Sequence, residues 1–566
     1  MEFRLASAAF IAVFATYLFL GGMGVTDRGN PYPGDAAYNL LARGLMAGHL
    51  YIEKEVPPVL SQLKDPYDPD ANRVAREDPK YRLHDFSYYH GRLYLYFGVA
   101  PAVFIFIPWH ILTGDWLPHW IVVVFLCSAG LLVNMSLVQA LRPRVFPGSP
   151  PWMMAVTTLI LGLGSYAPLL VARADLWEIP IAFSYFSVSV ALRCLWEAFE
   201  RLGRSAKWIA FASMALGLAF AARPTVLPNA AILLIPFVSR KIRGSVFAWA
   251  AAVLPLALCG AAVALYNAER FDDPFDFGMR YQLANEYVSK LHVFSAGYVW
   301  TNLRLYLFHG VEWTSVFPFA HEPPQPLVPM NHGGTEHISG AFLNAPILWA
   351  ALAVPAFIRY NRPDRSLVLI TASAAWVAVS SLVLLSFFFG ACSRYQLEFV
   401  PELALLAALG VMATECAWKR QVRLIVRCGW IPALVISSAF PVLYGIDRCV
   451  SDHNHSGIAS LEHGDLAGAE HEFDTARLMS PRNPFSRLGT GFMLVTQGKL
   501  PQAQAVFEGL IRDFPNYGMA HYFLGNVFAN EGRLDEALAQ FKAAHRLDPE
   551  NGAIKAGLDS ALAWPK

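Results

Sequence analysis

Charge is what this sequence has least of. Asp, Glu, Lys and Arg make up 15% of its 566 residues, where soluble globular chains carry about 25%. Hydrophobic residues reach 55%, more than one soluble core needs, so composition alone points to a membrane. Net charge is only +1, which leaves no global field and no nucleic-acid partner to expect. Metal and redox spacings are missing too. Cys127, Cys194, Cys259, Cys392, Cys416, Cys428 and Cys449 lie in or beside apolar stretches, with no CxxC or Cys/His spacing. They read as small buried hydrophobes. A cleavable leader also lacks its signature: no small-residue site follows the run 5–24 at Met23–Asp27. Further apolar runs come after it, so the first segment is expected to remain as a helix.

Apolar runs of spanning length, or nearly so, lie at 5–24, 94–112, 118–140, 152–172, 178–196, 208–222, 225–239, 246–266, 341–358, 366–389, 402–418 and 428–446. A spanning helix needs about 20 residues. The pair 208–222 and 225–239 is broken by Arg223-Pro224. Basic short loops contain Arg142/Arg144, Arg201/Arg204/Lys207, Arg240/Lys241/Arg243, Arg359/Arg362/Arg365 and Lys419/Arg420/Arg423/Arg427. From residue 118 onward they fall on one side in strict alternation, and that side is expected to be the cytoplasm. Connections 173–177, 223–224, 267–340 and 390–401, with the tail, then lie outside. The parity holds if 94–112, interrupted by Pro101 and Pro108, is re-entrant or interfacial. That leaves about eleven crossings within an overall range of 11–13.

The tail repeats at a 34-residue step. Gly464, Gly498 and Gly532 correspond, as do Leu466/Leu500/Leu534, Ala469/Ala503/Ala537, Phe473/Phe507/Phe541 and Pro481/Pro515/Pro549. Gly457, Gly491 and Gly525 keep the same step. Period and residue types are those of tetratricopeptide helix pairs. The expected fold is therefore all-α: a polytopic transmembrane bundle over 1–447, with outer loops 25–93 and 267–340, then a repeat solenoid over 450–566. Its repeats are read as 450–483, 484–517 and 518–551.

Polar residues at the membrane edge are the candidates for chemistry. Asp35 precedes an amphipathic stretch, Ala37 to Leu45, and reads either as its N-cap or as a base for an acceptor hydroxyl. The run Asp65-Pro-Tyr-Asp68-Pro-Asp70 contains a DxD, but in a Pro-rich turn without α/β context. Alternating aromatics from His84 to Gly98 suggest a short hairpin entering the interface, in which His84, Asp85, Tyr89 and His90 are candidate sugar contacts. Arg173, Asp175 and Glu178, then Arg223, then Arg394 and Glu398 stand at outer span boundaries. Ionisable groups there are costly unless they pair or serve a site, although single snorkelling charges are the plain alternative. Together they suit an anionic phosphate and a proton-abstracting acid.

Several of these stretches resemble the GT-C superfamily of polytopic glycosyltransferases, in its protein mannosyltransferase-like (family 39) branch. The resemblance covers roughly 1–447. It rests on Asp35 with Tyr38, Asn39, Ala42 and Gly48; on Tyr89-His90-Gly91-Arg92 with Tyr94, Tyr96 and Pro101; and on Arg173 to Glu178. It also takes in the run from Tyr266-Asn267 to Tyr281-Gln282, and Arg394-Tyr395 with Phe399 and Pro401. Tetratricopeptide repeats also follow such a domain in eukaryotic membrane O-mannosyltransferases. The second acid frequent after the first loop acid is replaced by Ala36. The resemblance implies inverting transfer from a polyprenyl-phosphate-linked sugar, with the lipid in an apolar groove and Asp35 as base. Arg394, Arg223 and Arg173 would hold the phosphate, and Glu178 or Asp175 would orient acceptor or sugar. No metal ligands and no fixed cofactor are implied, and a divalent ion stays open. Expected partners are the lipid-linked donor, membrane lipids and a protein or glycan acceptor, the latter through the repeats. The expected place is a bacterial inner membrane with the tail on the periplasmic side. An O-antigen ligase or polymerase, for which His332 and His337 would matter, is the rival enzyme. A non-catalytic envelope scaffold and a transporter are the other classes.

Overall fold

A computed structural model describes residues 2–24, 32–78, 80–81, 83, 85–361, 365–417, 420–549 and 551–564. Of the residues singled out above, His84, Arg362 and Lys419 lie outside them. The chain divides into two compact units, one of 1–312 with 322–445, the other of 313–321 with 446–566.

The first unit is a helical bundle. Seven described helices are long and apolar enough to cross a bilayer, and an eighth forms if Met153–Gly162 and Ala167–Arg173, bent by 45°, count as one span. Of the remaining expected spans, 94–112, 225–239 and 341–358 are broken, and proline is the reason. Pro101 and Pro108 flank a π-helical turn, Ala102–Phe106, followed by Ile107–Thr113. At ~1.5 Å per residue that stretch reaches only about 18 Å, short of the ~30 Å hydrocarbon core. Pro224, Pro228 and Pro236, each without an N–H to donate, leave Pro224–Val238 as a 3₁₀ helix. With a rise of ~2.0 Å per residue, it still has a reach of about 30 Å. Val400–Ala417 adds an unbroken apolar helix of 18 residues.

Two contacts join ends of the bundle's helices in pairs. Arg144 pairs with Glu200, and the Arg365 Nη2 donates to Val238 O at 3.3 Å. The helix Glu178–Glu200 has 23 residues and so measures about 33 Å. Its first residue therefore stands one hydrocarbon thickness from Glu200, the end that meets Arg144.

The second unit is a stack of helix pairs, Leu466–Met479, Pro484–Thr496, Leu500–Asp513, Gly518–Asn530, Leu534–Leu547 and Gly552–Leu562, preceded by the C-terminal part of Arg420–Glu462. The 34-residue step has a packing cause at each point. Gly464, Gly498 and Gly532 turn the chain at φ of 76°, 72° and 77°, where a Cβ is penalised. Gly457, Gly491 and Gly525 lie under the rings of Phe473, Phe507 and Phe541, and a Cβ would come within 2.8, 2.4 and 3.0 Å of them. The three phenylalanines are buried. Trp313–His321 belongs to this unit: Ser480 Oγ donates to Phe317 O at 2.6 Å, and His321 Nδ1 lies 2.6 Å from Asp447 Oδ1.

Candidate functional site

The expected hairpin forms. Phe86–Tyr89 pairs antiparallel with Arg92–Leu95. His90 and Gly91 between them take φ of 47° and 76°, the positive pair that a two-residue hairpin turn needs. The Tyr266–Gln282 run buttresses it. Arg270, buried at the end of helix Val246–Phe271, donates through Nη1 to Leu95 O at 2.7 Å. Ser87 Oγ donates to Gly278 O at 2.8 Å, and Leu283 N to Phe86 O at 2.9 Å. Just beyond the hairpin, Gly98 passes so close to the next helix that a Cβ would meet Ala221 O at 2.1 Å. That approach delivers Tyr96 to the neighbourhood of Arg223.

Two of the candidate sugar contacts are set apart by this geometry. Tyr89 Oη donates to Asp272 Oδ2 at 2.9 Å, and His90, 73% exposed, stacks on Tyr89 with its Nδ1 4.0 Å from the same carboxylate. Both stand at the hairpin tip, about 13 Å along the strand from Asp85 at ~3.3 Å per residue. Asp85, at the base, is different: its Oδ2 accepts from Trp177 Nε1 at 2.8 Å.

Trp177 is the floor of a charged cluster. Arg173 lies over its ring with the guanidinium carbon 4.5 Å from the centroid, and Arg394 at 5.6 Å. Both arginines close on one carboxylate, Glu336: Arg173 on Oε1, and Arg394 Nη1 on Oε2 at 2.5 Å. Glu336 comes from the loop strand Thr335–Glu336, which pairs in parallel with Ala391–Cys392, the strand that ends two residues before Arg394. Arg173 Nε is also 3.7 Å from Glu178 Oε1. Beside Arg394, Arg223 Nε donates to Glu398 Oε1 at 2.6 Å, and Thr225 Oγ1 to Oε2 at 3.0 Å. Tyr395 lies between the two arginines, 4.8 Å from Arg223 and 5.3 Å from Arg394. Burial, then Asp85 and Tyr395, push the Tyr96 phenol well above its ordinary pKa against the opposing pull of Arg394 and Arg223. It stays protonated and offers a hydrogen-bond donor to this cluster.

Asp175 and Glu178 position the frame. Glu178 begins the helix Glu178–Glu200, and its Oε2 reaches back to accept from Asp175 N at 3.1 Å. Asp175 Oδ1 accepts from Leu176 N at 2.7 Å and lies 3.9 Å from His119 Nδ1. His119 Nε2 in turn takes the N–H of Tyr38 at 3.3 Å.

Asp35 does not cap the helix Ala37–Met46. Ala36 is the N-cap and makes no side-chain bond, because Pro33–Asp35 forms its own 3₁₀ turn ahead of it. The turn is clamped by Asn39 Nδ2 on Pro33 O at 2.7 Å and Arg43 Nη2 on Gly34 O at 3.0 Å. The carboxylate is exposed and, among the described residues, bonds to none of the arginines. The DxD has a structural use: Asp68 caps Pro69–Glu77, accepting from Asp70 N and Ala71 N. No group of three or more His, Cys, Asp or Glu among the described residues could hold a metal ion. His332 is engaged at both ring nitrogens, accepting from Gly334 N at Nδ1 and so donating through Nε2 to Asn302 Oδ1 at 2.9 Å. His337 Nδ1 is 2.8 Å from Glu322 Oε2.

Glu336 and Trp177 are the members of the cluster that the sequence did not single out. The only local signal for Glu336 is a carboxylate set between Gly333-Gly334 and His337 in the long connection 267–340.

Fold and site together define an integral membrane protein with an arginine-lined polar cluster at one end of its helices and a helical repeat tail. The tail matches the tetratricopeptide repeat family model over residues 494–552. Among solved structures the chain is similar to ArnT from Cupriavidus metallidurans bound to undecaprenyl phosphate, at 13% identity and a TM-score of 0.38, over 90% of this chain and 80% of that one. It is also similar to yeast Tom70, at 12% identity and a TM-score of 0.20, over 76% and 80%. The tetratricopeptide domain of P58(IPK) matches at 10% and 0.19, over 77% and 97%. No curated protein matches the chain.

Proposed function

We propose that this chain is a membrane glycosyltransferase that moves a sugar from a polyprenyl-phosphate-linked donor to an acceptor hydroxyl at the outer membrane face. The observation that carries this reading is the convergence of Arg173 and Arg394 on a single carboxylate position beside Tyr96, Trp177 and Asp85. Two guanidinium forks aimed at one point suit the oxygens of a phosphate. They would neutralise it as it leaves the anomeric carbon. Asp35 takes the proton of the attacking hydroxyl, and inversion follows from that single displacement. Asp85 and Tyr96 offer an acceptor and a donor to sugar hydroxyls. Glu178 and Asp175 hold Arg173 and His119 in place rather than touch substrate. The ligase reading has less support, since both of its histidines are already committed to loop contacts.

Purified protein given a polyprenyl-phosphate sugar and envelope acceptors is expected to release polyprenyl phosphate in step with sugar transfer. A scaffold would release none, and repeated failure with several sugar donors would leave the scaffold as the better reading.

The tail belongs, in this proposal, on the periplasmic side of a bacterial inner membrane, where its repeats select or present the acceptor. Support comes from the alternation of basic loops and from Trp313–His321, a piece of loop 267–340 that packs within the tail's own unit. Alkaline phosphatase fused after Lys566 is therefore expected to be active, and a fluorescent protein that matures only in the cytoplasm to stay dark there. The opposite pattern would reverse the sidedness.

A further inference from the structure

The arginines of the cluster already hold carboxylates. Among the described residues, Arg173 meets Glu178 and Glu336, Arg394 meets Glu336 and Arg223 meets Glu398. An arriving phosphate would gain little by Coulomb attraction unless one of those carboxylates gave way, and each desolvated oxygen would cost it hydration. The three carboxylates differ in how readily they could leave. The side chains of Glu178 and Glu398 are 0% and 1% exposed. All three carboxylates hold a further contact: Glu178 with Asp175 N, Glu398 with Thr225 Oγ1 and Glu336 with the Cys392 thiol at 3.4 Å, so burial is what separates them. The Glu336 side chain is 35% exposed while its arginines are each 12% exposed, so it reaches them from the solvent side. It sits on a two-residue strand in a long loop rather than on a span. Gly334 before it and His337 after it have φ of 84° and 45°, so the chain bends sharply on either side of it.

We propose that Glu336 is a resident counter-anion: its carboxylate holds the phosphate position between Arg173 and Arg394, and an anionic phosphate headgroup binds by displacing it. This rests on the phosphate reading above. The exchange swaps one doubly gripped anion for another, so the arginines keep a partner throughout. Without such a partner, Arg394 would lose the carboxylate at its Nη1, while Arg173 would still have Glu178 at 3.7 Å. The same exchange gives the loop carrying Glu336 a way to sense whether donor is bound.

The test uses the full-length protein in detergent, with a long-chain polyprenyl phosphate, inorganic phosphate and the uncharged polyprenol as probes. Removing a competing charge-assisted pair is expected to make Glu336→Gln bind phosphate about tenfold tighter or more, with polyprenol unchanged. A gain for the lipid alone assigns the site to a lipid headgroup; a gain for inorganic phosphate alone assigns it to the free ion. Arg173→Gln and Arg394→Gln separate the two layers of the argument. If they lose binding while Glu336→Gln gains none, the counter-anion is wrong and the phosphate site stands. If none of the three changes binding, the phosphate reading falls as well. A second measurement needs no variant. Amide exchange over 333–340 in the wild type should speed up when polyprenyl phosphate binds, and unchanged or slower exchange with saturated lipid overturns the displacement.

Discussion

Arg394→Gln is expected to lower sugar transfer by ~10²–10³-fold per folded molecule, the cost of losing one preorganised group that stabilises developing charge. The expectation depends on the arginine being removable without collapse. Its partner Glu336 keeps a second cation, Arg173, and retains contact with solvent, so no buried charge is orphaned. Arg223 is the instructive contrast. Its partner Glu398 is 1% exposed, and Arg223→Gln would leave that carboxylate with only Thr225. Breaking such a buried pair costs ~3–5 kcal/mol, so Arg223→Gln should reduce the yield and melting temperature of the protein. Arg394→Lys restores the charge without the planar fork and should recover only part of the rate. Transfer measured against folded protein, with melting curves for each variant, separates these outcomes. Arg394→Gln turning over within threefold of wild type would end its assignment to the leaving phosphate.

How much of this could be read from sequence depends on whether the cause was local. The tail was legible because each repeated residue answers to a neighbour a fixed distance along the chain, as Gly491 answers to Phe507. Long apolar helices such as His119–Val145 were legible for the same reason. Expected spans at 94–112, 225–239 and 341–358 read as apolar runs, but proline breaks the hydrogen-bond ladder inside each of them. At the site, Arg173, Glu178, Arg223, Arg394 and Glu398 declared themselves as charges at membrane edges, where their cost demands a partner. Which partner each found was not legible. Glu336 meets Arg394 across 58 residues only because Thr335–Glu336 and Ala391–Cys392 pair as parallel strands, a tertiary register with no sequence period. The Asp35 cap failed for a local reason that was visible but misweighed: Pro33 starts a separate turn, and Ala36 takes the capping place. Tyr89 and His90 were singled out by the aromatic alternation and the resemblance, and both end at the hairpin tip on Asp272 instead of on the arginine cluster.

Asp35→Asn is expected to lower transfer by ~10²–10⁴-fold, the range over which a positioned general base acts. Its lack of a bond to the described arginines bears on that expectation in two ways. The carboxylate is exposed and bonded to none of the described arginines, so the substitution should change stability by no more than about 0.5 kcal/mol. Any large loss of turnover is then chemical rather than structural. The missing bond also fits the division of labour that the proposed inverting displacement requires: the base meets the attacking hydroxyl on one side of the sugar while the phosphate leaves from the other. A base bonded to the arginines proposed to hold the phosphate would stand on the wrong side. The turn that carries it is rigid all the same, held by Asn39 and Arg43, so the carboxylate is fixed while its oxygens stay open to an acceptor. Polyprenyl-phosphate binding should be unchanged in Asp35→Asn, whereas Arg394→Gln should impair binding and rate together. Turnover by Asp35→Asn equal to the wild type would transfer the base to another carboxylate, and Asp85, tied to Trp177 at the hairpin base, is the first to examine.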